Sequence, residues 1–245
     1  MESETVVSFQ DAGKRFGENW VFRNLNLDLP SSQIVAIVGE SGSGKTTLLQ
    51  LINGVLRADE GVVQVMGSAV PSAGLHSFRR GIGYAVQGGG LFPHMTVYRN
   101  VTVLARLEGR DQARCRYRFE ELLSLMGLDH LELQDRYPYQ ISGGQQHRIS
   151  LCRALMLKPQ ILLLDEPFSA IDPMSRGEIH REFLAIQEKE QVSALLVTHD
   201  LREAVALSKY LVVMAQGTIV QHGATEQVIK EPERDYVAKL LETYL

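Results

Sequence analysis

Residues Gly39-Glu40-Ser41-Gly42-Ser43-Gly44-Lys45-Thr46 carry the spacing GxxxxGK[ST] between a continuous apolar run, 34–38, and a helical pattern over 45–56. Strand, glycine-rich loop and helix in that order bind the fold to an α/β core with a parallel sheet. The glycines let backbone N–H groups turn inward around phosphate oxygens, and the helix N-terminus adds a positive end. Lys45 is placed for the β and γ phosphates, and the Thr46 hydroxyl suits Mg²⁺, which prefers oxygen ligands. A Gly/Ser-rich turn that only caps a helix is the plain alternative. Kinases, GTPases and motor-like ATPases all carry such a loop, so it does not select among them.

The rest of the pattern fits such a core with additions. Residues 5–9 and 21–29 alternate apolar and polar as antiparallel strands, with a turn-rich stretch at 11–19. Strands are also expected at 61–66, 82–86, 161–164 and 194–198. Helices are expected at 97–108 and 112–126, and from near Gly144 to before Pro159. This reads as one domain: an α/β core with an antiparallel subdomain over 1–87 and 158–224, a helical insertion over 88–157, and short closing helices over 225–245.

The chain's 245 residues suffice for one such domain but are short for two. With a formal net charge of -4, no global basic surface argues for nucleic acid or anionic lipid. Cys115 and Cys152 form neither a CxxC pair nor a zinc spacing, which suits thiols in a reducing cytosol. The first eleven residues lack the basic start and apolar run of a secretory signal. The longest apolar stretches are too short to span a bilayer, so a membrane role is expected to come through a partner.

Ile161-Leu162-Leu163-Leu164-Asp165-Glu166 is an apolar strand ending in two carboxylates, placed to deliver acids to the C-terminal edge of a parallel sheet. Asp165 is placed to support the Mg²⁺ shell, and Glu166 to orient or deprotonate an attacking water. Acids that merely cap the next segment are the bland reading.

With these residues in view, the chain resembles the ABC ATPase family over nearly its whole length. Ile141-Ser142-Gly143-Gly144-Gln145-Gln146 looks like the family signature LSGGQ with Ile in place of the first Leu. A helix cap explains Ser-Gly-Gly alone, but not the accompanying motifs. Gln87 resembles the Q-loop glutamine, Ser169-Ala170-Ile171-Asp172 the D-loop, and His199 the switch histidine. The resemblance implies the ABC ATPase fold, a P-loop NTPase core with an antiparallel β subdomain and an inserted α-helical subdomain. It implies ATP and Mg²⁺ as ligands. Gly39, Glu40, Ser41, Gly42, Ser43, Gly44, Lys45, Thr46 and Thr47 would hold the nucleotide, and Ser142, Gly143, Gly144 and Gln145 would meet it from a second copy. Thr46, Gln87 and Asp165 would serve the metal; Glu166, His199, Gln87 and Lys45 would serve catalysis. Phe16 resembles the aromatic residue that stacks on adenine, where tyrosine is more usual; a strand-end aromatic is the other reading.

The family geometry also implies a head-to-tail dimer, transmembrane permease subunits, an extracytoplasmic solute-binding protein, and residence on the cytoplasmic face of the inner membrane. Residues 88–97, apolar after a glycine run, either form a groove for a helix of another protein or simply pack under the insertion; the resemblance implies contact with the permease. The text 81–87 followed by Leu91-Phe92-Pro93-His94 looks most like importers of glycine betaine, choline or carnitine. Amino-acid, phosphonate and lipid-transfer systems stay open, as does a soluble ATPase acting on ribosomes or DNA, although the chain has one motif set and no sustained heptads. Arg106, Arg110, Arg114, Arg116 and Arg118 are read as a solvated helix face, with an anionic lipid surface as the other option.

Overall fold

The computed structural model describes residues 5–86, 90–169 and 173–244. In chain order the elements are β1 (Thr5–Phe16), β2 (Asn19–Pro30), β3 (Ile34–Gly39), α1 (Lys45–Ile52), β4 (Glu60–Val65), β5 (Ser68–Ala69), α2 (Leu75–Arg79), β6 (Ile82–Ala85), α3 (Val97–Leu107), α4 (Gln112–Leu125), α5 (His130–Leu133), α6 (Gly143–Leu155), β7 (Ile161–Asp165), α7 (Pro173–Glu190), β8 (Ser193–Thr198), α8 (Leu201–Leu207), β9 (Tyr210–Ala215), β10 (Thr218–Ala224), α9 (Thr225–Lys230) and α10 (Asp235–Tyr244). They divide into two compact units, Met1–Arg79 with Ser193–Leu245, and Arg80–Val192.

The first unit holds two sheets. One is antiparallel, in the order β2-β1-β4-β5. Its register pairs Val7 with Leu29 and Val65, and Phe9 with Leu27 and Val63. All six side chains are buried, as a period of two requires of one covered face. Residues 11–16 do not form the expected turn: β1 continues to Phe16, and the turn is confined to Gly17 and Glu18. Register shifts after Phe9 and Ala12, with Asp11 at φ 47°, absorb the irregular spacing. In the second sheet, β3 lies parallel between β8 and β9, and β10 returns antiparallel to β9. All six residues of β3 are buried, which is why it reads as an unbroken apolar run. Leu201 and Ala204 of α8 and Val237 of α10 cover Ala36, Val38, Leu211 and Val213 on one face.

The second unit pairs β6 parallel to β7, Ile82 with Ile161 and Ala85 with Leu164, and packs α6 against β6. On α4, Cys115, Phe119, Leu122 and Leu123 form a buried stripe at helical spacing. Truncating the fully buried Phe119 would cost about 3–5 kcal/mol. The arginines do not all lie on a solvated face. Arg118 is 6% exposed, bonded to Glu121, Glu190 and the Leu155 carbonyl, because carboxylates from two helices converge on it. Among the described residues no helix is long and apolar enough to cross a membrane.

Candidate functional site

The first unit positions the phosphate loop at the C-terminal end of β3. Strand pairing sets Val38 level with Thr198, so His199, the next residue after β8, emerges exposed beside the start of the loop. Gly39 is compelled by close approach: a Cβ there would lie 2.1 Å from the Met214 carbonyl oxygen. Gly44 stands at φ 102° and caps α1 without a side-chain hydrogen bond of its own. An anion suits that end. Lys45 is 7% exposed, and its ammonium donates to the carbonyls of Gly39 and Glu40, at 2.8 Å each, and to Ser43 Oγ at 3.4 Å. Glu40, Ser41, Gly42 and Thr46 are exposed, Thr47 is half-buried, and Ser43 is buried.

Phe16, the last residue of β1, is 53% exposed with the Lys14 ammonium 5.6 Å from its ring centroid. It pairs with Asn19 in the hairpin. Val21 and Phe22 of β2 lie 3.1 Å and 3.3 Å from where a Gly44 Cβ would stand, so this strand runs against the loop. Phe16 thus offers an open π face from the hairpin that flanks the phosphate loop.

The second unit carries the carboxylates. Asp165 ends β7, 8% exposed, after four fully buried residues. Burial and then the Asp165 charge push the Tyr84 hydroxyl up to about 12, so Tyr84 stays protonated at neutral pH. Glu166 is half-buried and left-handed at φ 47°, costly for a non-glycine residue that also precedes proline, by about 1–3 kcal/mol. The turn is held on both sides. Ser169 donates to the Glu166 carbonyl from its hydroxyl at 2.9 Å and its N–H at 3.3 Å, and Phe168 packs edge-on against His180 and Phe183.

Ser142 begins α6 through a reciprocal cap: its Oγ accepts from Gln145 N at 3.2 Å, and Gln145 Oε1 accepts from Ser142 N at 2.9 Å. A Cβ on Gly143 or Gly144 would meet nothing within 4 Å among the described residues. Packing among the described residues therefore gives no reason for glycine at either position. Gln87, Ala170, Ile171 and Asp172 lie outside the described residues.

Two supporting roles, those of Asn100 and Gln146, escape motif reading. Asn100 is fully buried; its amide donates to the carbonyls of Phe92, Met95 and Thr96, and its oxygen accepts from Phe92 N at 2.8 Å. It fixes the 92–96 segment with Phe92 42% exposed. Gln146 donates to the Pro138 carbonyl at 2.9 Å and steadies the approach to Ser142. A buried Asn at a helical position was the available signal for the first.

The family model described as "ABC transporter" matches residues 22–169. The chain belongs to the ABC transporter family. It is an ATP-binding, ATP-hydrolysing domain of that family, with the ABC ATPase fold. It is 39% identical over 232 residues to the glycine betaine uptake system ATP-binding protein YehX of Escherichia coli K12, covering 95% of this chain and 75% of that one. It is 42% identical over 239 residues to the sulfate/thiosulfate import ATP-binding protein CysA of Escherichia coli K12, covering 96% of this chain and 64% of the relative. The ATP-binding cassette MJ0796, solved as a dimer in a post-hydrolysis state with ADP and Pi, superposes with a TM-score of 0.80 at 28% identity, covering 89% of this chain and 98% of that one.

By donor chemistry, the Thr46 hydroxyl of the first unit and the Asp165 carboxyl of the second are each of the hard oxygen type that Mg²⁺ prefers.

Proposed function

We propose that the chain energises a membrane importer, working as one of two head-to-tail copies beneath permease subunits on the cytoplasmic face of the inner membrane. The observation that carries this reading is the buried Lys45 ammonium, poised on loop carbonyls at the head of α1. On binding, Lys45 exchanges those carbonyls for β and γ phosphate oxygens, and loop and first-turn N–H groups of residues 39–47 complete the cradle. Phe16 stacks on adenine. When bound by Thr46, Asp165 and Gln87 with the phosphates, Mg²⁺ supplies charge neutralisation there.

Glu166 accepts the proton of the attacking water, a contribution of about 10²–10⁴-fold, and His199 contacts the γ phosphate. Ser142, Gly143, Gly144 and Gln145 face the nucleotide held by the second copy. The open space around both glycines supports that reading, since an external group can approach the backbone closely. Residues 88–97 meet the permease, and Gln87 links the site to it.

The cargo is a quaternary amine such as glycine betaine or choline, delivered by an extracytoplasmic solute-binding protein. Likeness to YehX supports this, and likeness to CysA keeps sulfate as the second reading. Uptake of labelled glycine betaine and of labelled sulfate, in cells with and without the gene, tests the assignment. Loss of betaine uptake alone is expected. Loss of sulfate uptake alone would reassign the cargo, and purified protein without nucleotide-dependent phosphate release would remove the energising role itself.

A further inference from the structure

The second unit contains a cavity of about 390 Å³ lined by Tyr98, Arg99, Arg106, Arg110, Gln112 and Cys115. Arg99 and Arg106 stand seven residues apart on one face of α3, about 10 Å along its axis. Arg110 follows in the connection to α4, and Gln112 opens that helix. The wall is firm. Tyr98 packs edge-on against the buried Phe119 at 5.0 Å between centroids, and Cys115 is 2% exposed.

Three arginines thus line one concavity, and among the described residues no aspartate or glutamate lines it. The neighbouring acids are already engaged. Glu108 pairs with Arg80 at 2.7 Å, Glu120 with Arg116 at 2.8 Å, and Asp111 caps α4 by accepting from Arg114 N at 3.0 Å. Among the described residues, Arg99, Arg106 and Arg110 belong to none of the ion pairs of this hairpin. The whole chain is formally at -4, so the cluster does not reflect a general excess of positive charge.

Like charges gathered in a concavity repel one another and raise the local potential, and a bound anion relieves both effects. The planar guanidinium fork matches phosphate oxygens two at a time. A monocarboxylate would balance one of three charges, whereas a group bearing two or more negative oxygens balances the set. We propose that this cavity binds a phosphate-bearing anion, at a site built wholly within the second unit and sharing no residue with the nucleotide site.

Phosphate of this kind comes from a soluble polyphosphate compound or from a phospholipid headgroup, and two arms separate them. In the first, the full chain saturated with Mg-ADP, so that its phosphate loop is filled, is titrated with inorganic pyrophosphate by calorimetry in excess Mg²⁺. In the second, the same protein is sedimented with vesicles of phosphatidylglycerol and phosphatidylcholine, against phosphatidylcholine alone. Each is repeated with Arg106→Gln/Arg110→Gln, two exposed positions whose replacement leaves the core untouched.

We expect saturable binding in at least one arm, weakened by at least about tenfold in the variant, with ATP affinity unchanged. Binding of pyrophosphate assigns a soluble ligand, and binding of the anionic vesicles alone assigns the membrane headgroup. The proposal is overturned by binding in neither arm, or by binding that the double variant retains within about twofold.

Discussion

Arg118 grips Glu190 with both ends of its guanidinium: Nη1 donates to Oε1 and Nη2 to Oε2, each at 2.8 Å, across 72 residues of sequence. Both side chains are nearly withdrawn from water, at 8% and 10% exposed, and Glu121 and the Leu155 carbonyl take further donors. Burial alone would lower the Arg118 pKa, but the two carboxylates outweigh it and the net direction is upward. The pair joins α4 to the end of α7. Replacing Glu190 by Gln leaves a buried cation half-compensated, a loss of about 3 kcal/mol. Urea unfolding should show the midpoint falling at unchanged slope. Arg118→Met with Glu190→Met, which removes both charges, should recover much of that loss.

His147, on α6, is 5% exposed, and burial holds its pKa below the ordinary 6.5, with the Pro167 carbonyl opposing in part. The unfolded chain therefore binds more protons in the window from about 6.5 down to the folded value. Stability from this residue is complete above that window and is lost as pH falls through it. His147→Gln should lose less stability than the parent between pH 7.5 and 5.5, measured by urea unfolding at each pH. Equal losses in the two proteins would mean that His147 does not titrate against folding.

Phe16→Ala should raise the ATP concentration needed for half-maximal hydrolysis while leaving maximal turnover nearly intact, since adenine stacking acts on ground state and transition state alike. The expected cost is about 1 kcal/mol, or about fivefold. The open ring face at the end of β1 makes the substitution structurally mild. Collapsed turnover at an unchanged ATP requirement would give Phe16 another role.

What could be read from the sequence was what is local. The strands β3 and β7 are short apolar runs buried throughout, and the loop and caps that follow them are set by neighbouring residues. The extension of β1 to Phe16 was hidden because its register shifts break the alternation that marks a strand. Helix α7 was hidden for another reason: its buried Ile179, Phe183 and Ile186 form a narrow stripe among charged residues. The burial of Arg118 depends on Glu190, and no window of helical length contains both. Motif order pointed to Ser142 and Glu166, but the left-handed turn at Glu166 and the open space beside Gly143 required coordinates.

The sharpest prediction sets Glu166→Gln against Ser142→Arg. Gln preserves the shape of Glu166 and some of its hydrogen bonding in a turn held by Ser169, but removes the carboxylate proposed to accept a proton from water. Hydrolysis should fall by about 10²–10⁴-fold. Lys45, Thr46, Asp165 and Ser142 are untouched, so ATP and Mg²⁺ should still bind and the protein should accumulate as an ATP-bound closed dimer. Ser142→Arg acts at the other face. It removes the hydroxyl that caps α6 and puts bulk and charge at an exposed helix start with open space beside it, where the second copy's γ phosphate would enter. Loss of the cap costs about 1 kcal/mol, too little to unfold the chain, so the variant should remain folded yet monomeric with ATP. Size-exclusion chromatography in Mg-ATP, beside a phosphate-release assay, reads both. Near-normal hydrolysis by Glu166→Gln would overturn the base assignment. A monomer from that variant in Mg-ATP would overturn the trapped dimer, and an ATP-dependent dimer from Ser142→Arg would remove Ser142 from the shared nucleotide site.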